Sequence, residues 1–512
     1  MPIDIKLLRA DQGGDPELVR ESQRKRFARV EIVDECIALD QEFRGLRGRL
    51  DDAGKALNAA NKIVGQKKKA SKGKDPCTEE IAEVARIKAE KDELTIKLKA
   101  AEAGRDRLLA QIGNIVYHDV PVFKEEEGER DKVMSWGMPK ADKETVAQKQ
   151  EDGTVQDVEW RRLHHHEVLQ RIDGYAPERG VAVAGHRAYF LKGPGVLLNQ
   201  ALIAYGTSWL TKNGCTMLQP PFFMNKDMMS KVAQLEQYDE ELYKVLGEKN
   251  KETGQREEKY LIATSEQPIC AFHQKEWLNE KALPKRYGGI STCFRMEAGS
   301  HGRDTWGIFR VHQFEKVEQF TLTAPDKSWA MHLEMLEQSR KFYESLELPY
   351  RVVNIASGEL NNAAAKKLDL EAWFPARQEY KELVSCSNCT DYQSRGTETR
   401  FGIKKGSSRE KAYVHMLNST LCATTRTICC ILENYQTPTG VRVPDVLVPF
   451  MGGIDFLEFT QPLKENINRK KTAKGGKKKR QQQKKKGQAK AGGGGGGKAK
   501  QAPAKPPAAA AK

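Results

Sequence analysis

Two long heptad runs constrain this chain more than anything else in it. Ile32, Cys36, Leu39, Phe43, Leu46, Leu50, Ala53, Leu57, Ala60 and Val64 follow one another at alternating steps of four and three, all apolar or small. The spacing resumes with Val84, Ile87, Lys91, Leu94, Leu98, Ala101, Arg105, Leu108, Ile112 and Ile115, where eight of ten are apolar. Such a stripe puts one continuous seam on a helix and demands a second helix to cover it. Gly65–Pro76 between the runs is a short Gly/Lys/Pro turn, so the two helices are expected to fold back as an antiparallel hairpin. At about 1.5 Å per residue the first is roughly 50 Å long. A dimerisation coil is the competing use, but here each helix finds its seam partner within the same chain.

Charge divides the rest. The chain of 512 residues carries a formal +15, yet Lys464–Lys512 alone holds 17 basic residues against the single acid Glu465. Residues 1–463 therefore hold 68 basic and 69 acidic side chains. A nucleic-acid coat is excluded for the body, where any such surface must be local. The tail, with Lys477–Arg480, Lys484–Lys486, six glycines from Gly492 and a Pro/Ala end, has nothing to bury and is expected to be disordered. Its lysine clusters have the composition of a nuclear-import signal.

The start, Met1-Pro2-Ile3-Asp4-Ile5-Lys6, has no basic-then-apolar pattern of a targeting peptide. No run approaches about 18 apolar residues, so no membrane span is expected. Ten cysteines, two of them adjacent at Cys429-Cys430, suit a reducing, cytosolic setting better than a disulfide scaffold. Residues 116–175 read as a connector, and the stretch from Gly180 to about Ile454 mixes β-type runs with amphipathic helices, enough for one large α+β domain.

Several short matches carry no chemistry. His164-His165-His166 cannot point three neighbouring side chains at one metal ion. Cys386-Ser387-Asn388-Cys389 lacks the second pair that a zinc site needs. Lys192-Gly193-Pro194-Gly195 lacks the rest of a P-loop. Met229-Ser230-Lys231 has Met228 where a class I synthetase KMSKS loop has its first lysine, and no HIGH tetrapeptide accompanies it.

Other stretches fall into an order. Phe294-Arg295-Met296-Glu297 and Gly307–Glu318 read as two strands joined by a loop of Gly, Ser, His and Arg, a hairpin with charges at its mouth. Arg295 with Glu297 on one strand face resembles motif 2 of the class II aminoacyl-tRNA synthetases, and His312–Phe320 resembles its seryl version. Gly214–Phe223 resembles motif 1, and Cys422–Ile428 resembles motif 3. Tyr260–Gln267 and Glu382–Gln393 are similar to stretches specific to seryl-tRNA synthetases. With the hairpin, the resemblance to the eukaryotic cytosolic seryl-tRNA synthetases covers roughly residues 1–460. The lysine-rich tail and the insert around Lys249–Glu258 resemble that branch as well.

The resemblance implies a class II antiparallel sheet flanked by helices, dimeric through motif 1, in an α+β chain. Its implied divisions are an arm (1–115), a connector (116–175), a catalytic domain (176–463) and a tail (464–512). It implies a cytoplasmic ATP-dependent ligase that converts L-serine to seryl-adenylate and transfers it to tRNA(Ser), and to tRNA(Sec) also. The arm would grip the long variable arm of the tRNA, leaving the anticodon unread. Lys67, Lys68, Lys69, Lys72 and Lys74 at its turn suit phosphate contacts or a solvated tip. Arg295, Glu382 and Arg426 are the implied catalytic residues. ATP would be held by Arg295, Met296, Glu297, Val311, His312, Gln313, Phe314, Glu382, Leu383, Val384, Ser385 and Arg426. Arg295 would meet the α-phosphate, Arg426 the γ-phosphate end of a bent ATP, and Phe314 the adenine. Glu382 and Ser385 offer hard oxygens to Mg²⁺. Thr264, Glu266, Arg295, Glu318, Asn418 and Thr420 would form the serine pocket.

One position departs from the pattern. Trp306 stands where the seryl loop has arginine (GRDTRG), and Arg303 lies three residues earlier. A non-catalytic tRNA-binding paralogue would keep the fold without needing Arg295, Glu382 and Arg426, which are all present. A coiled-coil scaffold would not explain the order of the motifs.

Overall fold

The computed structural model describes residues 3–149, 154–233, 241–249, 251, 254, 256–297, 302–402 and 412–463. Met1–Gln461 form one compact unit, and Pro462–Lys512 a second; of the second only residues 462 and 463 are described, so the tail expected to be disordered lies outside the described residues.

The heptad runs become α2 (Ile32–Ala70) and α3 (Thr78–Leu109), preceded by the short α1 (Pro16–Lys25). They pair as an antiparallel arm whose seam buries Leu46, Ala53, Leu94, Leu98 and Ala101. α2 runs past Gly65 to Ala70, farther than the expected turn. Gln66 and the three lysines after it are good helix formers that outweigh one glycine, and Lys67 reaches across to pair with Glu80. The charged break in the seam also has a cause. Arg105 lies 4.4 Å over the Phe43 ring and 3.5 Å from buried Asp40, which Arg9 approaches at 2.8 Å from the other side.

The last two seam positions, Ile112 and Ile115, lie beyond the end of α3. Ile112 packs with Ile32, Val33, Cys36 and Leu109 against Ala363, Cys389 and Tyr392 of the body. Arg26 fastens this joint. Its guanidinium donates to the carbonyls of Asn114 (2.9 Å), Leu360 (3.3 Å), Asn361 (3.2 Å) and Ala364 (2.5 Å), and burial lowers its pKa to about 10. A Cβ on Gly113 would come within 2.7 Å of that guanidinium stem, so a glycine is needed there. Asn114 O and Asn361 O keep other donors, Ser22 Oγ and the Ala364 N–H, but Arg26→Ala leaves the Leu360 and Ala364 carbonyls without one and should cost about 2–4 kcal/mol. Denaturant titration checks this; an unchanged midpoint would show the joint to be held by apolar packing alone.

The body is built on one sheet of eight strands: β1 (Lys132–Trp136), β2 (Thr216–Leu218), β3 (Lys285–Phe294), β4 (Gln313–Thr323), β5 (Tyr350–Asn354), β6 (Lys366–Phe374), β7 (Glu379–Asn388) and β8 (His415–Ala423). Their order is β1-β5-β6-β7-β8-β4-β3-β2, all neighbours antiparallel except β2, which runs parallel to β3 at one edge. The connector thus supplies an edge strand, paired to β5. Side chains alternate across a strand, and the alternation sorts the sheet into two faces. Val317, Leu368, Leu370 and Leu421 join the main core with α5 (Pro194–Lys212), α6 (Ser328–Ser345) and α7 (Thr424–Tyr435). The other face, over its middle strands, is polar and open. α4 (His165–Arg171) packs beside α7.

Candidate active site

The open face is a cleft whose floor comes from β4, β7 and β8. On β4 the period of two puts Phe314, Lys316 and Glu318 on the same side. Glu382 and Ser385 are three apart on β7 and would ordinarily face opposite ways. A β-bulge corrects this: Glu371 pairs with Glu382 but Leu370 pairs with Val384, so Leu383 is the extra residue and both polar side chains enter the cleft. β8 has the same device. Glu318 pairs with Thr420 and Val317 with Cys422, leaving Leu421 extra, so Thr420 and Ala423 both face inward. α7 starts directly after β8 and delivers Arg426 in its first turn.

Two cavities meet on this floor. The larger, about 740 Å³, is lined by Thr264, Glu266, Arg295, Glu318, Glu382, Ser385, Asn418 and Thr420 among others. The smaller holds Arg295, Glu297, Val311, Phe314, Glu382, Leu383 and Arg426. Arg295, Lys316, Glu382 and Thr420 belong to both. The larger cavity far exceeds the volume of one small amino acid, so it also leaves room for the end of a larger substrate.

The charges within are ordered. Glu318 accepts from Lys316 Nζ at 2.6 Å, from Ser265 Oγ at 2.9 Å and from the Thr264 hydroxyl. Burial opposes its charge, but Lys316 and these hydroxyls hold its carboxyl below the usual range. Glu266 accepts from Gln393 Nε2 at 2.7 Å and Asn418 Nδ2 at 3.0 Å; burial and the charge of Glu318 push its carboxyl up. Two neighbouring carboxyls are thereby driven apart, one firmly ionised. Glu382 receives Arg426 Nη1 at 3.1 Å on both its side chain and its carbonyl. Desolvation at the floor works against that carboxylate, while Arg426, Lys367 and Arg295 hold it below the usual range. Opposite Ser385 on β6 stands Asp369, buried, with an Oδ1 that makes no hydrogen bond. Burial and the charge of Glu382 push the Asp369 carboxyl well up, so the hard oxygens that fit a small divalent cation are those of Glu382 and Ser385.

Four of the residues implied for ATP line neither cavity. Met296 spends its backbone N–H on Glu241 O at 2.9 Å. The His312 ring donates from Nδ1 to Arg295 O at 2.9 Å, and the backbone N–H of Arg295 returns to His312 O. His312 and Gln313 instead line a separate cavity with Tyr189 and Tyr243. Val384 is buried in the main core on the far face, because the bulge that turns Glu382 and Ser385 inward sends it there. Lys316, Ser265, Gln393 and Asp369 belong to the site although the sequence reading passed over them. Lys316 was legible, since it sits midway between Phe314 and Glu318 on one strand face; the other three come from register and from a separate helix.

The returning limb of the loop between β3 and β4 lines the smaller cavity with Phe309, Arg310 and Val311. Trp306 in that loop is 42% exposed, while Asp304 is tied to Arg377 at 2.7 Å. The side chain of Arg303 lies outside the described residues, as do parts of the 249–258 insert. The His164 and His166 rings stack 5.8 Å apart, while His165 is turned into the core against Glu433 at 3.0 Å. Among the described residues no group of three or more His, Cys, Asp or Glu side chains could hold a metal, and no helix is long and apolar enough to cross a membrane.

Comparison with known proteins places this architecture. Residues 243–435 match the tRNA synthetase class II core domain (G, H, P, S and T), and residues 3–116 match the seryl-tRNA synthetase N-terminal domain. The cytoplasmic serine–tRNA ligase of Dictyostelium discoideum is 53% identical over 479 residues, covering 92% of this chain and 99% of that one. That of Saccharomyces cerevisiae is 50% identical over 478 residues, with the same 92% and 99% coverage. The crystal structure of the cytoplasmic serine–tRNA ligase from Naegleria fowleri in complex with AMP superposes with a TM-score of 0.75 at 47% identity, covering 90% of this chain and 99% of that one. Seryl-tRNA synthetase from Pyrococcus horikoshii complexed with ATP gives a TM-score of 0.76 at 34% identity, covering 90% and 100%. With both halves matched and the likeness running nearly end to end, the chain belongs to the serine–tRNA ligases, the seryl branch of the class II aminoacyl-tRNA synthetases.

Proposed function

We propose that the two joined cavities hold L-serine and ATP side by side, and that Arg295 at their junction organises the attack between them. The observation that carries this reading is the overlap itself. A carboxylate- and hydroxyl-lined pocket opens onto an Arg- and Phe-lined one through a doorway of two cations, Arg295 and Lys316. In the larger cavity ionised Glu318 suits the substrate ammonium. Glu266, Asn418, Thr264 and Thr420 supply hydrogen bonds for its hydroxyl, and an alanine in their place would leave buried polar groups unpaired. In the smaller, Phe314 stacks on adenine, Glu297 and the backbone of Val311 read its edge, and Arg426 takes the terminal phosphate. Leu383 lines the same cavity.

Serine carboxylate oxygen attacks the α-phosphorus, its new P–O bond replacing the bond to the leaving pyrophosphate. Two anions approach, so Arg295 placed between them does what a preorganised donor does best, worth about 3–4 kcal/mol, with the fork geometry a guanidinium offers to paired oxygens. Mg²⁺, held with ATP by Glu382 and Ser385, would neutralise phosphate charge. A terminal ribose hydroxyl of tRNA(Ser) then takes the seryl group and AMP leaves; tRNA(Sec) of the same shape is a further acceptor. The arm provides tRNA affinity, the protein acts as a homodimer in the cytoplasm, and the basic tail adds non-specific RNA affinity and an import signal for a nuclear fraction.

Serine-dependent ATP–pyrophosphate exchange is the test. Exchange with serine and not with alanine is expected; a chain that binds tRNA but exchanges nothing would be the non-catalytic paralogue instead.

Trp306 separates the two substrates of that reaction. Indole carries no charge and cannot meet a phosphate as arginine does, but its half-exposed face can stack on an unpaired terminal base, worth about 1–3 kcal/mol. Trp306→Arg should therefore raise activation by a few-fold and alter tRNA charging separately. If steady-state kinetics move in neither half-reaction, the position is neutral to both substrates.

A further inference from the structure

The three histidines at the start of α4, set aside as a metal site, lie against the loop whose returning limb lines the nucleotide side of the cleft. His165 is buried, and each of its ring nitrogens faces an acceptor: Nδ1 meets Glu433 Oε1 at 3.0 Å and Nε2 meets Trp306 O at 3.1 Å. A carbonyl cannot donate and a carboxylate cannot either, so beside an ionised Glu433 both nitrogens carry hydrogen and the ring is an imidazolium. Burial works against that charge, Cys429 and the Glu433 carboxylate work for it, and the imidazole is raised to about 10. Glu433 is in turn held by the backbone. It also accepts the backbone N–H of His165 at 3.1 Å and that of Ala376 at 3.1 Å. One buried ion pair thus links α4, α7, the β6–β7 turn and the loop.

The loop is shaped to this contact. Gly307 has φ of +64°, and a Cβ there would lie 2.9 Å from both His165 Cδ2 and His166 Cβ. Just beyond it Phe309 is buried, with its ring 6.2 Å from that of His165 and 5.1 Å from the Arg426 guanidinium. α7 carries both Arg426 and Glu433, so the pair ties the returning limb of the loop to the helix that presents the arginine.

We propose that His165, paired with Glu433, is a positioning residue for the nucleotide side of the cleft: it pins Trp306–Gly307 so that Phe309 braces Arg426. This rests on the ATP reading above. It assigns to the histidine cluster a role in ATP affinity that it reaches through the loop, without touching substrate.

The experiment compares wild type, His165→Asn and Gly307→Ala in serine-dependent exchange, with hydrogen exchange of residues 302–309 measured on the same full-length proteins. Asparagine is uncharged and donates from a single nitrogen, so it cannot span Glu433 and the Trp306 carbonyl as the two ring nitrogens do, and the added methyl of Gly307→Ala pushes the loop off an intact ion pair. Both should raise the KM for ATP by roughly five- to tenfold with the KM for serine within about twofold, and both should speed exchange of the loop amides. If His165→Asn destabilises the fold, Gly307→Ala still decides. ATP and serine constants rising together, or a Gly307→Ala protein with normal ATP KM and normal loop protection, would reduce the cluster to core packing. A wild type without serine-dependent exchange would sink the ATP reading itself; loop protection lost in both variants would still establish the clamp, and unchanged protection would refute it.

Discussion

Replacing Arg295 with alanine should slow adenylate formation by roughly 10²–10³-fold or more while leaving tRNA binding nearly unchanged. Arg295 is a cation shared by both cavities, and the cations beside it are committed elsewhere. Lys316 is held 2.6 Å from Glu318, and Arg426 is held 3.1 Å from Glu382; moving either would strip a carboxylate of its partner. Arg295→Lys should recover only part of the loss, since an ammonium cannot bridge two oxygens in one plane. The loss should appear in kcat more than in the KM for serine, because the charge to be stabilised grows as the two anions close. Near-normal pyrophosphate exchange in the alanine variant would remove Arg295 from the mechanism.

Shortening the arm should produce the opposite pattern. Removing residues 55–89 and closing the helices with a short glycine turn takes away the outer half of the hairpin, including Lys67–Lys69, Lys72 and Lys74. It keeps the seam at Leu46, Ala53, Leu94 and Leu98 and the joint at Cys36, Leu109 and Ile112. Serine activation should stay within about twofold, while the KM for tRNA(Ser) rises about tenfold or more through lost phosphate contacts. A cut of the whole stretch 32–115 would tear out buried Ile112 and the Asn114 carbonyl that Arg26 holds, so its effects could not be assigned to tRNA. If the trimmed protein charged tRNA with an unchanged KM, the arm would be an assembly device.

Some of this molecule is written locally and some is not. The arm could be read from spacing alone, because a seam sustained over many turns admits one economical answer, and its turn residues dictate direction. Arg295, Glu318, Glu382 and Arg426 could be located because motif order is a one-dimensional property, and the period of two carried Phe314, Lys316 and Glu318 to a common face. Which other residues share that face was decided by pairing between strands. The extra residues Leu383 and Leu421 reset the alternation, and a bulge depends on the partner's register, which no single strand encodes. Hence Ser385 joins Glu382 and Val384 turns to the core. The same holds for groups far apart in sequence. Arg26 meets carbonyls at 360, 361 and 364, Asp369 faces Ser385, and His165 finds Glu433. Each is an ordinary polar residue in its own neighbourhood. Burial among backbone carbonyls or beside an opposite charge gives it a purpose, and only the folded chain brings those partners within hydrogen-bond reach.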